Sequence, residues 1–198
     1  MKKAKKVLVL LLCAVLLVGA SIAGTVAYLT DTDNVVENTF TVGKVVIDLD
    51  EAKVNEYGVQ DGNTRVKANS YTLVPGRNYV KDPTVHVDAD SEECYIFVKV
   101  VNEIAAIEAD TTIAAQIAAK GWDELETGVY YKTWKQGDAA DLVVFEEFTI
   151  KTDVNGATLN GYTGKTVNVT AYAIQRSGFE SNIAGAWAAV SAAATPNP

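Results

Sequence analysis

The chain carries 25 acidic and 17 basic residues among 198, a formal net charge of −8, and 48% of its residues are apolar. That balance argues against nucleic acid and anionic membrane surfaces as partners, since both need a basic face. A single histidine, His86, and two cysteines, Cys13 and Cys94, exclude a zinc site with two imidazoles and leave no cysteine framework.

Lys2, Lys3, Lys5 and Lys6 form a cationic start, and the uncharged run from Val7 to Val18 follows. Such a run is shorter than the roughly 20 residues a helix needs to cross a bilayer of about 30 Å. Small residues then continue to Ala27, which completes the pattern of a secretory signal peptide. Cleavage after Ala23 or after Ala27 satisfies the small-residue rule. The second is preferred, making residues 1–27 the leader and Tyr28 the first mature residue. Cys13 follows Leu12 inside the apolar run, so it does not match a lipoprotein cysteine. Loss of the leader leaves 13 basic against 25 acidic residues, a formal charge of −12. About 171 residues remain, enough for one domain with its own core. That domain is expected over 28–191, with a flexible tail at 192–198. Cys94 alone survives maturation and is expected to be a buried small hydrophobe.

Alternation of β-branched and aromatic residues predicts a first strand from Asn38 to Asp50, with a β-bulge at Gly43-Lys44 where the apolar parity changes. The polar stretch 51–70 is expected to be loop, with room for a short edge hairpin. Tyr71–Val74 is expected to be a short strand ending at the turn pair Pro75-Gly76. One strand is predicted from Tyr79 to Ala89, with Val85 and Val87 inward and His86 outward beside Asp88. Cys94–Val101 is apolar on both parities, as in a central strand covered on both faces. Four isoleucines and several alanines predict a helix within 104–120, capped by Asp110 and ended by Gly121. Further strands are predicted at 128–135, 142–152 and 165–175, with turns at Asn155-Gly156 and Asn160-Gly161. A last helix is predicted after a capping box of Ser177 and Glu180, with Phe179, Ile183, Trp187 and Val190 on one stripe. The expected fold class is mainly all-β: a jelly-roll-like two-sheet β-sandwich with an inserted helix and a short C-terminal helix.

Catalytic chemistry is not legible, and no catalytic residue is assigned. His86 would have to serve any Ser/His/Asp arrangement, yet no Gly-x-Ser-x-Gly elbow is present. Acidic clusters occur at Asp31/Asp33, at Asp48/Asp50/Glu51 and at Asp88/Asp90/Glu92/Glu93. Asp88, Asp90 and Glu92 make the best calcium candidate, since they alternate into a turn. They lack the glycine and the distant bidentate glutamate of an EF-hand loop, and a solvated acidic loop is the simpler reading. No cofactor is therefore assigned, calcium being the one weighed. Asn168-Val169-Thr170 matches the N-glycosylation pattern but falls in mid-strand. Trp122, Tyr130, Tyr131, Trp134 and Tyr162 could stack on carbohydrate, although packing is the commoner use of such residues.

The junction Gly24-Thr25-Val26-Ala27-Tyr28-Leu29-Thr30-Asp31 resembles the cleavage region of secreted proteins processed by the SipW type of signal peptidase. Asn38-Thr-Phe-Thr-Val-Gly-Lys-Val is similar to the start of mature TasA/camelysin proteins. Leu73-Val-Pro-Gly, Lys81-Asp-Pro-Thr-Val and Cys94-Tyr-Ile-Phe-Val-Lys-Val resemble that family's core strands, and Val169 to Phe179 resembles its C-terminal strand and helix. The resemblance implies export to the cell surface or biofilm matrix and a structural subunit that polymerises with itself. It also implies the alternative of a camelysin-like secreted metalloprotease, from which this sequence departs by having one histidine. A monomeric cell-surface binding module is a third reading. Besides other copies of itself, the expected partner is the signal peptidase, with membrane contact only through the leader. Neither a Leu-Pro-x-Thr-Gly signal nor an apolar C-terminal stretch occurs, so any wall attachment is expected to be non-covalent. Tyr28, Leu29, Val35, Val36 and Phe40 are the residues expected to seat a donated strand in a neighbouring subunit.

Overall fold

Val85 and Val87 on one strand and Cys94, Ile96 and Val98 on another lie buried in a shared core. Their facing walls set the architecture of the computed structural model, which describes residues 44–109 and 111–193. The leader, Ala27 and Tyr28, the donor residues, Asp31 and Asp33, the bulge at Gly43, the Asp110 cap and residues 194–198 lie outside the described residues.

Ten strands occur among the described residues: β1 (Ile47–Val54), β2 (Gln60–Val66), β3 (Asn78–Val80), β4 (Thr84–Val87), β5 (Cys94–Asn102), β6 (Asp123–Glu126), β7 (Val129–Trp134), β8 (Asp141–Val143), β9 (Glu147–Thr149) and β10 (Val167–Gln175). One antiparallel sheet has the order β2-β1-β4-β8 and the other β10-β5-β7-β6, while β3 and β9 form a short ribbon. The connections β4–β5 and β7–β8 pass from sheet to sheet, as in the jelly-roll-like sandwich expected from the sequence. Among the described residues a 3-10 helix (Ala105–Ile107) and three α-helices accompany the sheets: α1 (Ile113–Ala119), α2 (Gly156–Asn160) and α3 (Ile183–Ala193).

β5 shows why its two parities are both apolar. Cys94, Ile96 and Val98 enter the inter-sheet core, whereas Tyr95 and Phe97 join a second cluster beneath α3. Trp187 of α3 lies over this face, its ring 5.4 Å from Phe97 and 5.2 Å from Tyr172. Phe179, Ile183, Trp187 and Val190 pack here together, as their stripe predicts. α1 sends Ile113 and Ile117 into the main core beside Trp122, and Gly121 ends it at φ +75°.

Several local expectations are corrected. Tyr71–Val74 is not a strand: Thr72 N–H bonds Glu56 O and Val74 N–H bonds the Tyr79 hydroxyl, so these residues line a crossing segment instead of joining a sheet. The single strand expected over 79–89 is split into β3 and β4, because Pro83 has no N–H with which to continue a ladder. The strand expected over 142–152 is likewise split into β8 and β9, which belong to different sheets. Asn155 does not open a hairpin turn; its side chain accepts Thr158 N–H and caps α2. The inserted helix is capped by Thr112, which accepts Ala115 N–H at 3.2 Å. The Ser177/Glu180 box does not form. Glu180 takes Gly178 N–H, and Asn182 caps α3 by accepting Gly185 N–H at 2.8 Å. β6 was not expected, since Asp123-Glu-Leu-Glu carries little β signal. Pairing with β7 imposes its conformation.

Candidate functional site

Four strands lie at sheet ends: β2 and β8 in one sheet, β10 and β6 in the other. β8 has three residues and β6 four, and β2 is a mostly exposed polar strand. β10 differs in being nine residues long with the sequence VNVTAYAIQ. Long apolar edges are the ones on which another strand pairs. Val100 N–H donates to Gly128 O at 2.7 Å, so the even-numbered residues of β5 bond β7 and the odd-numbered ones bond β10. Lys99 and Val101 stand opposite Thr170 and Asn168. The backbone groups of Val167, Val169, Ala171 and Ala173 therefore turn away from β5, toward the side where no further strand is named among the described residues.

A cleft of about 680 Å³ opens beside the first part of this edge. It is lined by Val167, Asn168 and Val169, by Leu49–Glu51 of β1 and residues 67–73, and by residues 159–160 and 162–166. Leu49, Tyr71, Leu73, Leu159, Tyr162, Val167 and Val169 are partly buried against the core, so the lining offers apolar surface around an open groove. Tyr71 is held edge-on to Phe148 at 5.4 Å, and burial followed by the nearby Glu51 charge pushes its hydroxyl well above the ordinary phenol range.

On the cleft wall Glu51 is buried and accepts two nitrogens. Lys81 Nζ lies 2.5 Å from one carboxylate oxygen and Asn69 Nδ2 lies 2.9 Å from the other. The Asn69 amide also donates to Ala52 O at 2.9 Å and accepts Val54 N–H at 3.0 Å, which fixes which side of the amide is oxygen. This group was invisible in the sequence, because its members sit in the stretch expected to be loop and in a strand misjoined across Pro83.

His86 also needs correction. It lies on the outward face of β4, opposite buried Val85 and Val87 as alternation predicts, but its ring nitrogens engage Asp50 at 2.8 Å and Asp141 at 2.7 Å, not Asp88. Arg65 bonds the same Asp50 and reaches Asp82 at 2.9 Å. Asp48 pairs with Lys67 and Glu51 with Lys81, so the Asp48/Asp50/Glu51 run is neutralised by cations from neighbouring segments. Both imidazole nitrogens of His86 are thus already engaged. Burial disfavours its charged form, but the hydrogen bonds to Asp50 and Asp141 outweigh this and raise its pKa above the ordinary 6.5.

Asp88, Asp90 and Glu92 are all exposed, with Asp88 accepting Asp90 N–H at 2.9 Å. No three His, Cys, Asp or Glu side chains among the described residues converge so as to hold a metal ion. Cys94 is fully buried, and that burial, helped by Glu93, pushes its thiol up to about 11. Trp122, Tyr130 and Trp134 are core residues. The two indoles donate to Val143 O and Ala139 O, while Tyr131 and Tyr162 are half-buried. No helix among the described residues is long and apolar enough to cross a membrane. Comparison with protein-family models, curated proteins and solved structures gave no match.

Proposed function

We propose that this chain is an exported structural subunit that polymerises outside the cell, each copy donating residues 28–40 to the β10 edge of the next. The observation that carries this reading is a nine-residue strand edge, beside which no further strand lies among the described residues, with an open cleft next to its first residues. An added strand would take the outward backbone groups of Val167 to Ala173 as partners. Alternate apolar side chains of the incoming segment would enter the cleft between Tyr71, Leu49 and Val169. Tyr28, Val36 and Phe40 share one parity and would enter together, Leu29 and Val35 would lie on the opposite face, and Asp31 to Asn34 between them suit the solvent. Donation from head to tail is heterologous and does not close, so it extends into a filament. Release from the leader would free the donated end, which makes secretion the trigger for assembly.

Deleting Tyr28 to Val36 tests this directly. The mature protein is expected to form filaments visible in negative stain, and the truncated protein to remain monomeric with an unchanged circular dichroism spectrum. Filaments that persist in the truncated protein would contradict the mechanism.

A further inference from the structure

Glu51, Asn69 and Lys81 are arranged for chemistry that a fibre subunit has no need of for strand pairing. The two oxygens of one carboxylate hold the lysine ammonium and the asparagine amide side by side. Only 6% of the Glu51 side chain and 11% of the Lys81 side chain reach solvent. A buried ion pair is a weak contributor to stability, because both charges lose their hydration. Here the third partner is a carboxamide, whose carbonyl carbon is an acceptor for an amine.

We propose that Lys81 and Asn69 join spontaneously in an intramolecular isopeptide bond, with Glu51 as the catalytic proton carrier. The ammonium proton passes from Nζ to the Glu51 oxygen 2.5 Å away, leaving a free-base amine in a nearly dry site. Nζ then attacks Asn69 Cγ and a C–N bond forms. Negative charge gathers on Oδ1, where Val54 N–H is already placed at 3.0 Å to receive it. Glu51 delivers its proton to Nδ2, which it already contacts, and takes a second proton from the former lysine nitrogen. The Cγ–Nδ2 bond breaks and ammonia leaves through the cleft that these three residues help to line. The products are one secondary amide, one ammonia and a neutral Glu51 acid. Nothing is oxidised or reduced, and no co-reactant is required. The reaction also removes the buried lysine charge and replaces it with an amide. The bond ties the segment after β2 to the segment after β3, in the lining of the cleft that also includes Tyr71 and the start of β10. No disulfide can do this, since Cys94 is the one cysteine among the described residues.

The test is the mass of the purified protein, referenced to its own N-terminus by sequencing. The wild type is expected about 17 Da below its sequence mass, the loss of one ammonia. Trypsin should release a branched peptide joining residues 68–77 to residues 78–99, with no cut after Lys81. Lys81→Arg keeps the positive charge but offers no such nucleophile, and Glu51→Gln removes the proton carrier; both are expected at full sequence mass. Asn69→Asp is expected to lose water instead, about 18 Da, with the same branched connectivity. A wild type at full mass overturns the proposal whether or not any variant folds. So does a deficit that persists in Lys81→Arg, since a succinimide at Asn69-Ser70 would produce it. This outcome is independent of filament formation, which can succeed or fail in either case.

Discussion

His86 and Asp50 are joined by a 2.8 Å hydrogen bond that runs diagonally across two strands: the register sets His86 opposite Asp48, and Asp50 opposite Thr84. The diagonal arises because Asp48 is drawn away to Lys67, while Arg65 fixes Asp50 from the other side. Asp141 on β8 completes the imidazole's contacts, so one histidine ties three strands of the sheet together.

This arrangement makes stability depend on pH with a definite sign. The folded-state pKa of His86 lies above 6.5, so its contribution is fully present below about 6.5 and lost as pH rises through the folded value. Denaturant midpoints should therefore fall over that window, and His86→Gln should flatten the dependence. The chain has one histidine, so a single imidazole resonance reports the titration directly. A midpoint below 6.5 would refute the assignment.

Gly58 is a position where no side chain can be accommodated. Its φ is +70°, and an added Cβ would fall 2.6 Å from Tyr79 Cδ1 and 2.8 Å from Tyr79 Cα. Tyr79 is fully buried and stacked on Phe148 at 4.9 Å, so it cannot yield. Gly58→Ala is expected to cost at least about 2 kcal/mol, from overpacking and left-handed strain together. Urea denaturation of the variant measures it. A cost near zero would mean that the β1–β2 turn is not docked on β3.

Trp187→Ala should uncover the outer face of β5. The indole touches Phe97 and Tyr172 and donates to Glu126 at 2.8 Å, which ties α3 to β6. A loss of about 3 kcal/mol is expected from large-to-small truncation, together with increased binding of an apolar dye to the exposed face. Unchanged stability would show that α3 is dispensable to the sheet it covers.

Proline substitutions separate the two edges of β10. The N–H of Ala171 turns away from β5, whereas that of Thr170 faces it. Ala171→Pro should leave the monomer folded and block strand addition, because proline is tolerated where the N–H points outward. Thr170→Pro should destabilise the monomer itself by about 3 kcal/mol or more. Filaments formed normally by Ala171→Pro would argue against β10 as the accepting edge.

What the sequence disclosed follows from which interactions are local. Both parities of β5 are apolar because both faces are covered, and Phe179, Ile183, Trp187 and Val190 show helical spacing because one side of α3 is buried. These patterns are written in consecutive residues. Alternation places His86 on the correct face but does not reveal its partners, which come from β1 and β8, far away in sequence. Glu51, Asn69 and Lys81 were missed for the same reason: they converge through a bulge in β1 between Ala52 and Val54 and through segments without regular structure. That β10 lies at a sheet edge among the described residues depends on sheet order, which periodicity does not encode. Thr112 took the capping role expected of Asp110, a shift of two residues typical of helix ends.

The central claim is that β10 accepts a strand from another copy, and amide hydrogen exchange of assembled against unassembled protein measures this most directly. Assembly is expected to slow exchange selectively at Val167, Val169, Ala171 and Ala173, whose N–H groups turn outward, while β5 and β7 amides keep their monomer rates. Filaments in which these four amides exchange as fast as in the monomer would contradict the account.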